Sequence, residues 1–172
     1  RAMDDVIITA ATGTAYTGET GSGTESAQTA IAASVGTGTG LNITKLRTAK
    51  ELLDKADVDP SIPRHVVCGP EQITNLLGTT EVTSSDFNTI KALVHGEVDS
   101  FLGFKFTTSN RLAKSGNDRT VIAFAQDGIT LGIGKDISAR IDERADKSYA
   151  TQVYYCQSIG STRMEQAKVV PI

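Results

Sequence analysis

The sequence predicts an α+β fold, and three observations carry that expectation. Helical stripes of apolar residues fall in the first half of the chain. Alternating apolar and polar runs crowd its last third. Helices and strands do not interleave as repeated strand–helix–strand units, so a doubly wound parallel sheet is not expected. The 172 residues suit one domain, or two small lobes sharing a core. Aromatic residues are only 5% and Trp is absent, a mix that favours short strands and loops over a large helical core.

Taken in order, Met3, Val6, Ile7, Ala10 and Ala11 mark one face of an opening helix, with Asp4 and Asp5 at the end favoured by acids. Gly13 breaks it. From Thr12 to Gly40 the chain is dominated by Gly, Thr, Ser and Ala, and is expected to be extended or loose, with one weak strand near Gln28 to Ala32. The clearest helix follows. Asn42 is its N-cap, Leu41 and Leu46 form a hydrophobic staple, and Ile43, Leu46, Ala49, Leu53 and Ala56 line its apolar side. Glu51 and Lys55 make a favourable pair one turn apart. Pro60 and Pro63 bar continuation.

His65 to Cys68 reads as a strand entering a short helix, with Pro70 at N1 and Gly78 at C′. Another helix is expected from Thr83 to Gly96. Leu102 to Ser109 alternates as a strand. Asp127-Gly128 is a hairpin-turn signal between Thr120–Ala125 and Ile129–Ile133. Further strands are expected at Ile137–Glu143 and Gln152–Ile159, with a bend or bulge at Gly160 and Ser161, before Met164 to Val170 runs to the end.

Composition narrows the function. Seventeen basic against twenty acidic residues leave a net charge of −3, without the basic stripe that gripping nucleic acid requires, so sequence-specific nucleic-acid binding is not expected. No apolar run approaches a bilayer span, and no membrane partner is expected. The chain opens on Arg1, in what reads as mid-helix, which suggests a piece of a longer protein.

Candidate chemistry is thin. The Gly36-to-Gly40 repeat lacks the Lys-Ser/Thr of a P-loop and the acidic partner of a dinucleotide site. His65, Cys68, His95 and Cys156 could be assembled on paper into a thiol–imidazole dyad or a zinc site, but they lack paired ligand spacing. Structural roles are the better reading: two reduced thiols, a strand histidine, and a histidine at a helix end. No catalytic residue, cofactor or metal is expected. The carboxylates Asp142, Glu143 and Asp146 alternate with Arg140, Arg144 and Lys147, a pattern more typical of a solvated or intersubunit face than of an acid–base pair, and Arg140, Glu143 and Arg144 are the candidate intersubunit contacts.

Five segments together resemble tailed-bacteriophage and prophage major capsid proteins. Arg1-Ala2-Met3-Asp4-Asp5-Val6-Ile7-Ile8-Thr9-Ala10 is similar to that family's R-x-x-D-D-x-I-I-x-A element. Leu41-Asn42-Ile43-Thr44-Lys45-Leu46 runs on into Ala49 to Asp54 in the family manner. Val66 to Gln72 resembles its strand followed by a Ser-Pro-x-Gln helix start, with Gly69 in place of the serine. Thr83 to Val98 with Phe101 to Phe104 forms a fourth segment, and Gly160-Ser161-Thr162-Arg163-Met164-Glu165 running to Ile172 forms the closing one.

The resemblance implies the Hong Kong ninety-seven type capsid fold, with a peripheral P-domain of spine helix and long strands and a mixed α/β axial A-domain. It would place the first part of the P-domain at 1–64 with the spine helix at Asn42 to Ala56, the A-domain at 65–134, and the returning P-domain strands at 135–172. An N-terminal arm and most of an extended E-loop would precede Arg1. The implied function is a structural subunit of an icosahedral head shell enclosing DNA, found in the virion and, during assembly, in the bacterial cytoplasm. Its partners would be further copies forming capsomers, together with scaffolding and portal proteins. An encapsulin-like compartment shell and a small enzyme are the rival readings.

Overall fold

The computed structural model describes residues 2–17, 19, 21–36, 40–78, 100–116 and 118–172. In chain order the elements are α1 (Ala2–Thr12), β1 (Ala15–Thr17), β2 (Gly23–Glu25), α2 (Ile43–Lys55), β3 (Arg64–Cys68), α3 (Pro70–Leu77), β4 (Ser100–Phe101), β5 (Phe104–Thr108), β6 (Lys114–Ser115), β7 (Asp118–Arg119), β8 (Ile122–Ala125), β9 (Ile129–Arg144), β10 (Ala150–Arg163) and β11 (Val169–Pro171). The helix expected from Thr83 to Gly96 lies outside the described residues.

The body is a five-stranded mixed sheet in the order β11-β8-β3-β5-β4. Its central strand, β3, runs parallel to β5 and antiparallel to β8. Side chains alternate across the pleat. Val66 and Cys68 of β3, Ala123 and Ala125 of β8, Phe104 of β5 and Val170 of β11 therefore join Leu46, Ala49 and Leu53 of α2 and Leu76 of α3 in one buried cluster. Val67, Ile122, Phe124 and Val169 project the other way, where they meet Ile8 and Ala11 of α1. The sheet is thus covered on both sides.

Local chemistry explains α2. The Lys45 backbone N–H donates to Asn42 Oδ1 at 2.9 Å, the expected cap, and the staple residues Leu41 and Leu46 are both buried. The helix stops before the prolines act. Asp57 takes φ 52°, and the N–H groups of Val58 and Asp57 return to the carbonyls of Leu53 and Asp54, a Schellman closure. Buried Arg64 then ties that turn to β3, reaching Asp54 at 2.7 Å and the Val58 carbonyl at 3.2 Å.

Several sequence expectations need correction. Gln28 to Ala32 forms no strand; Ile31 makes a single N–H bond to the Pro171 carbonyl. Within the stretch read as loose, β1 and β2 pair as a small antiparallel hairpin. Asp127-Gly128 does make a turn, with Gly128 N–H on the Ala125 carbonyl, but it does not join a hairpin. The strand before it, β8, lies between β3 and β11, while β9 leaves to pair with β10. Gly78 is a right-handed C-cap at φ −78° rather than a left-handed C′ residue. The two strands expected at Ile129–Ile133 and Ile137–Glu143 are one strand, and the irregularity lies opposite Gln157 rather than at Gly160.

Arg163, the last residue of β10, is buried and fastens the two ends of the chain together. Its Nη1 donates to the carbonyls of Gly13 at 2.9 Å, Ala11 at 3.2 Å and Ala10 at 3.4 Å, and its Nη2 donates to the Glu25 carbonyl at 2.9 Å. The first three are at the C-terminal end of α1, where carbonyls lack helical partners and a cation is favoured. Replacing Arg163 with Met should destabilise the chain by about 3 kcal/mol, since several buried acceptors lose a charged donor. Replacing Arg111, whose ion pair with Asp5 is exposed, should cost under about 1 kcal/mol. Chemical denaturation of the two variants checks the contrast.

Candidate interaction site

The feature that stands out from the body is the β9–β10 ribbon. Sixteen and fourteen residues pair antiparallel, a length of roughly 50 Å for β9 at the usual rise per residue. Among the described residues, only its base is held by the body. There Ile129 pairs with Arg163, and Ile129 packs into the cluster that contains α1. Beyond the base, β9 carries extra residues against β10 between Ile133 and Ser138, with Asp136 Oδ1 accepting the Ile137 N–H at 2.7 Å. These bulges are what the sequence shows as a gap between two strands.

Beyond the bulges the two faces of the ribbon differ. Directly paired residues share a face. Ala139 with Tyr155, Ile141 with Val153, and Glu143 with Thr151 make one face, and Ile141 and Val153 are 71% and 70% exposed. Ser138 with Cys156, Arg140 with Tyr154, Asp142 with Gln152, and Arg144 with Ala150 make the other. Lys135, Arg140, Asp142, Gln152 and Tyr154 line a shallow polar depression there. Of the three residues singled out from sequence, Arg140 and Arg144 are therefore on the polar face and Glu143 is on the apolar one. Arg144 also donates to Asp146 at 2.9 Å. At the tip, Ser148 and Tyr149 both take positive φ, 52° and 59°, and Tyr149 projects into solvent.

The sequence reading passed over the stripe of Ile141, Val153 and Tyr155, although the alternation that reveals it was present. It also gave Arg163 no role, because a guanidinium reaching carbonyls some 150 positions away leaves no local signal.

Among the described residues, the chemistry-bearing side chains do not converge. His65 and Cys68 are an odd number of positions apart on β3 and project to opposite faces. His65 stacks on Phe124 with ring centroids 5.6 Å apart, and burial and the neighbouring Lys105 hold its pKa below the usual value. Burial pushes the Cys68 thiol up to about 11. Cys156 is on the ribbon, where the Tyr154 hydroxyl and, more weakly, Lys135 lower its pKa. His95 lies outside the described residues. Among the described residues no group of three or more His, Cys, Asp or Glu is placed to hold a metal ion, and no helix is long and apolar enough to cross a membrane.

The described residues thus form an α+β body from which a long, solvent-exposed two-stranded ribbon projects. The chain belongs to the phage capsid protein family, whose model matches residues 1–172. No curated protein matches it. Among solved structures it is similar to a protein of Mycobacterium phage Che8, with 21% identity and a TM-score of 0.65 over 97% of this chain and 54% of that one. It is also similar to the capsid structure of cyanophage P-SCSP1u, with 18% identity and a TM-score of 0.62 over 97% of this chain and 58% of that one. The cyanophage Pam1 capsid gives 14% identity and a TM-score of 0.57 over 77% and 46%. The α+β fold is therefore the phage-capsid type, of the Hong Kong ninety-seven kind. The chain spans little more than half the length of the two structures it matches over 97% of its own length.

Two measurements follow from the titrating groups. Because His65 has a depressed pKa in the fold, the unfolded chain takes up its proton first as pH falls. Its contribution to stability is full above about pH 6.5 and is lost as pH drops from there towards the folded value. A His65→Phe variant, which keeps a ring against Phe124, should flatten the loss of stability between about pH 7 and 5, as followed by denaturant midpoints. Alkylation at neutral pH should modify Cys156 well before Cys68 in the folded chain, with peptide mass spectrometry as the readout.

Proposed function

We propose that the chain is the shell-forming core of a phage major capsid protein, a structural subunit of the icosahedral head that encloses DNA. The family match over the whole chain supports the structural, non-enzymatic role. The observation that carries the reading at residue level is the ribbon, which presents apolar and charged side chains to solvent far from the core. On this reading copies of the protein associate into capsomers, and Arg140, Glu143 and Arg144 set the register between neighbours through charge pairing at the ribbon. Scaffolding and portal proteins are proposed partners during assembly in the host cytoplasm, and the virion is the final location.

The division into peripheral and axial parts is likewise proposed. The segments 1–64, 65–134 and 135–172 remain the starting scheme. Packing supports a refinement, because α2 shares one hydrophobic cluster with β3, β5, β8 and β11 across the 64/65 boundary. The base of the ribbon goes with α1. We assign α1 and the ribbon to the peripheral part, and α2 with the sheet to the axial part.

Electron microscopy of the complete gene product tests the function, with closed shells of uniform size as the expected outcome. Arg140→Glu should lower shell yield about tenfold, equivalent to roughly 1.4 kcal/mol of lost association, while the melting temperature of the subunit stays unchanged. A complete protein that stays monomeric under assembly conditions would sink the proposal.

A further inference from the structure

We infer that the cavity between α2, α3 and the β6–β7 hairpin binds a small phosphate-type oxyanion, held by Arg119, Gln72 and Lys45. The inference is independent of the shell reading, because the site is built within one subunit. The cavity has a volume of about 420 Å³, and Asn75, Glu71 and Asp118 line it beside those three side chains. Its polar lining is incomplete. Arg119 Nε and Gln72 Oε1 are both buried, and neither has a hydrogen-bond partner among the described residues. The guanidinium makes one long bond, from Nη1 to Asn110 Oδ1 at 3.5 Å. The two side chains meet over Gly69, where an added Cβ would lie 2.8 Å from Arg119 Nη1 and 2.5 Å from Gln72 Oε1. A half-turn of the Gln72 amide exchanges its oxygen and nitrogen, so both residues can offer donors at that place. Buried polar groups are ordinarily satisfied, and two orphans side by side point to a partner with several oxygens.

Charge decides the kind of partner. Gly69 caps α3 with no side-chain hydrogen bond. That end is the positive end of the helix dipole, and a guanidinium laid against it is unfavourable unless an anion sits between them. Lys45 brings a second cation. It is only 4% exposed, and its Nζ lies 2.9 Å from the Gly40 carbonyl. Burial lowers its pKa more than the Asp118 charge raises it, and a bound anion would offset that burial. The acids of the lining are set differently, since Glu71 and Asp118 are both exposed while Arg119 and Gln72 are half-buried.

A tetrahedral oxyanion suits this set better than a carboxylate does. Lys45 belongs to α2, Gln72 to the first turn of α3 and Arg119 to β7, so the three reach the cavity from different elements. The oxygens of a phosphate can accept from all three at once, and the start of a helix is a common seat for that group. Leu41 and Val121, both buried, supply an apolar wall. The cavity thus has room for a small organic group, and the phosphoryl group comes either as the free ion or on a monoester.

Titration calorimetry of the complete protein at constant ionic strength tests the site, with inorganic phosphate and phenyl phosphate as separate probes. Saturable binding of either probe, with a dissociation constant in the millimolar range or tighter, is the expected result. Tighter binding of phenyl phosphate identifies a monoester as the source, and equal or tighter binding of inorganic phosphate identifies the free ion. Arg119→Gln should weaken binding about tenfold. Gly69→Ala, which puts a methyl group where Arg119 and Gln72 meet, should weaken it several-fold. Lys114→Gln removes an exposed cation from the same hairpin and should leave binding unchanged. Melting temperatures taken without phosphate show that each variant is folded, and Gln72→Leu, with the same expected loss, replaces any variant that is not. Absence of saturable binding overturns the inference. Binding that survives both Arg119→Gln and Gly69→Ala overturns it too. An equal loss in Lys114→Gln also rejects it, because the effect would then be one of diffuse surface charge.

Discussion

The contact on which the rest of the architecture depends is the grip of Arg163 on the end of α1. A helix C-terminus leaves carbonyls without partners, and burying them against a sheet without donors would be costly. One planar guanidinium answers Ala10, Ala11, Gly13 and Glu25 together. That allows α1 to lie on the second face of the sheet, where Ile8 and Ala11 pack with Ile122 and Val169. It also fixes where β10 ends and hence how the ribbon leaves the body. Arg64 repeats the device at the end of α2, with Asp54 and the Val58 carbonyl as its partners. Both helices are therefore fastened to strands at their C-terminal ends by a buried arginine, and the cation matches the helix dipole in each case.

What could be read in the sequence, and what could not, divides along the range of the interactions. The cap at Asn42, the staple of Leu41 and Leu46, and the pair Glu51–Lys55 are separated by a few residues, and all form as expected. The turn at Asp127-Gly128 is equally local and also forms. Its meaning was misread, because the partner of β8 is decided by β3 and β11, which lie far away in sequence. The same holds for the ribbon. Gly134 to Asp136 looks like a break between strands, yet continuous pairing with β10 absorbs it as bulges. On the ribbon, attention to alternating charge singles out Arg140, Glu143 and Arg144 and passes over the exposed apolar Ile141 among them. A period of two places Arg140 and Arg144 on one face of the strand and Ile141 with Glu143 on the other, so the sign pattern alone hides the exposed apolar stripe.

The ribbon also has to avoid pairing too readily. Over its outer half it is a two-stranded sheet with both edges open among the described residues, which is a template for uncontrolled edge-to-edge association. Two features work against that outcome. The bulges between Ile133 and Ser138 interrupt any long flat run of edge donors and acceptors, and Lys135, Asp136, Arg140, Asp142 and Arg144 place charges along β9. Edge pairing is discouraged while the faces stay available.

This separation of edge from face bears on how shells of such subunits can form without jamming. An isolated two-stranded ribbon is marginally stable, and one with large side chains in solvent gains from being covered. If the covering contact were large, early mistakes in assembly would be permanent. On the shell reading proposed above, contacts that are each weak stay reversible, while the Arg163 grip ties the base of the ribbon to the end of α1. Stability is then supplied by closure of the array, and accuracy by the weakness of each step. On that reading the Arg163 clamp at the base sets the direction in which the ribbon leaves the body, and small single contacts let a misplaced subunit be released before the array closes.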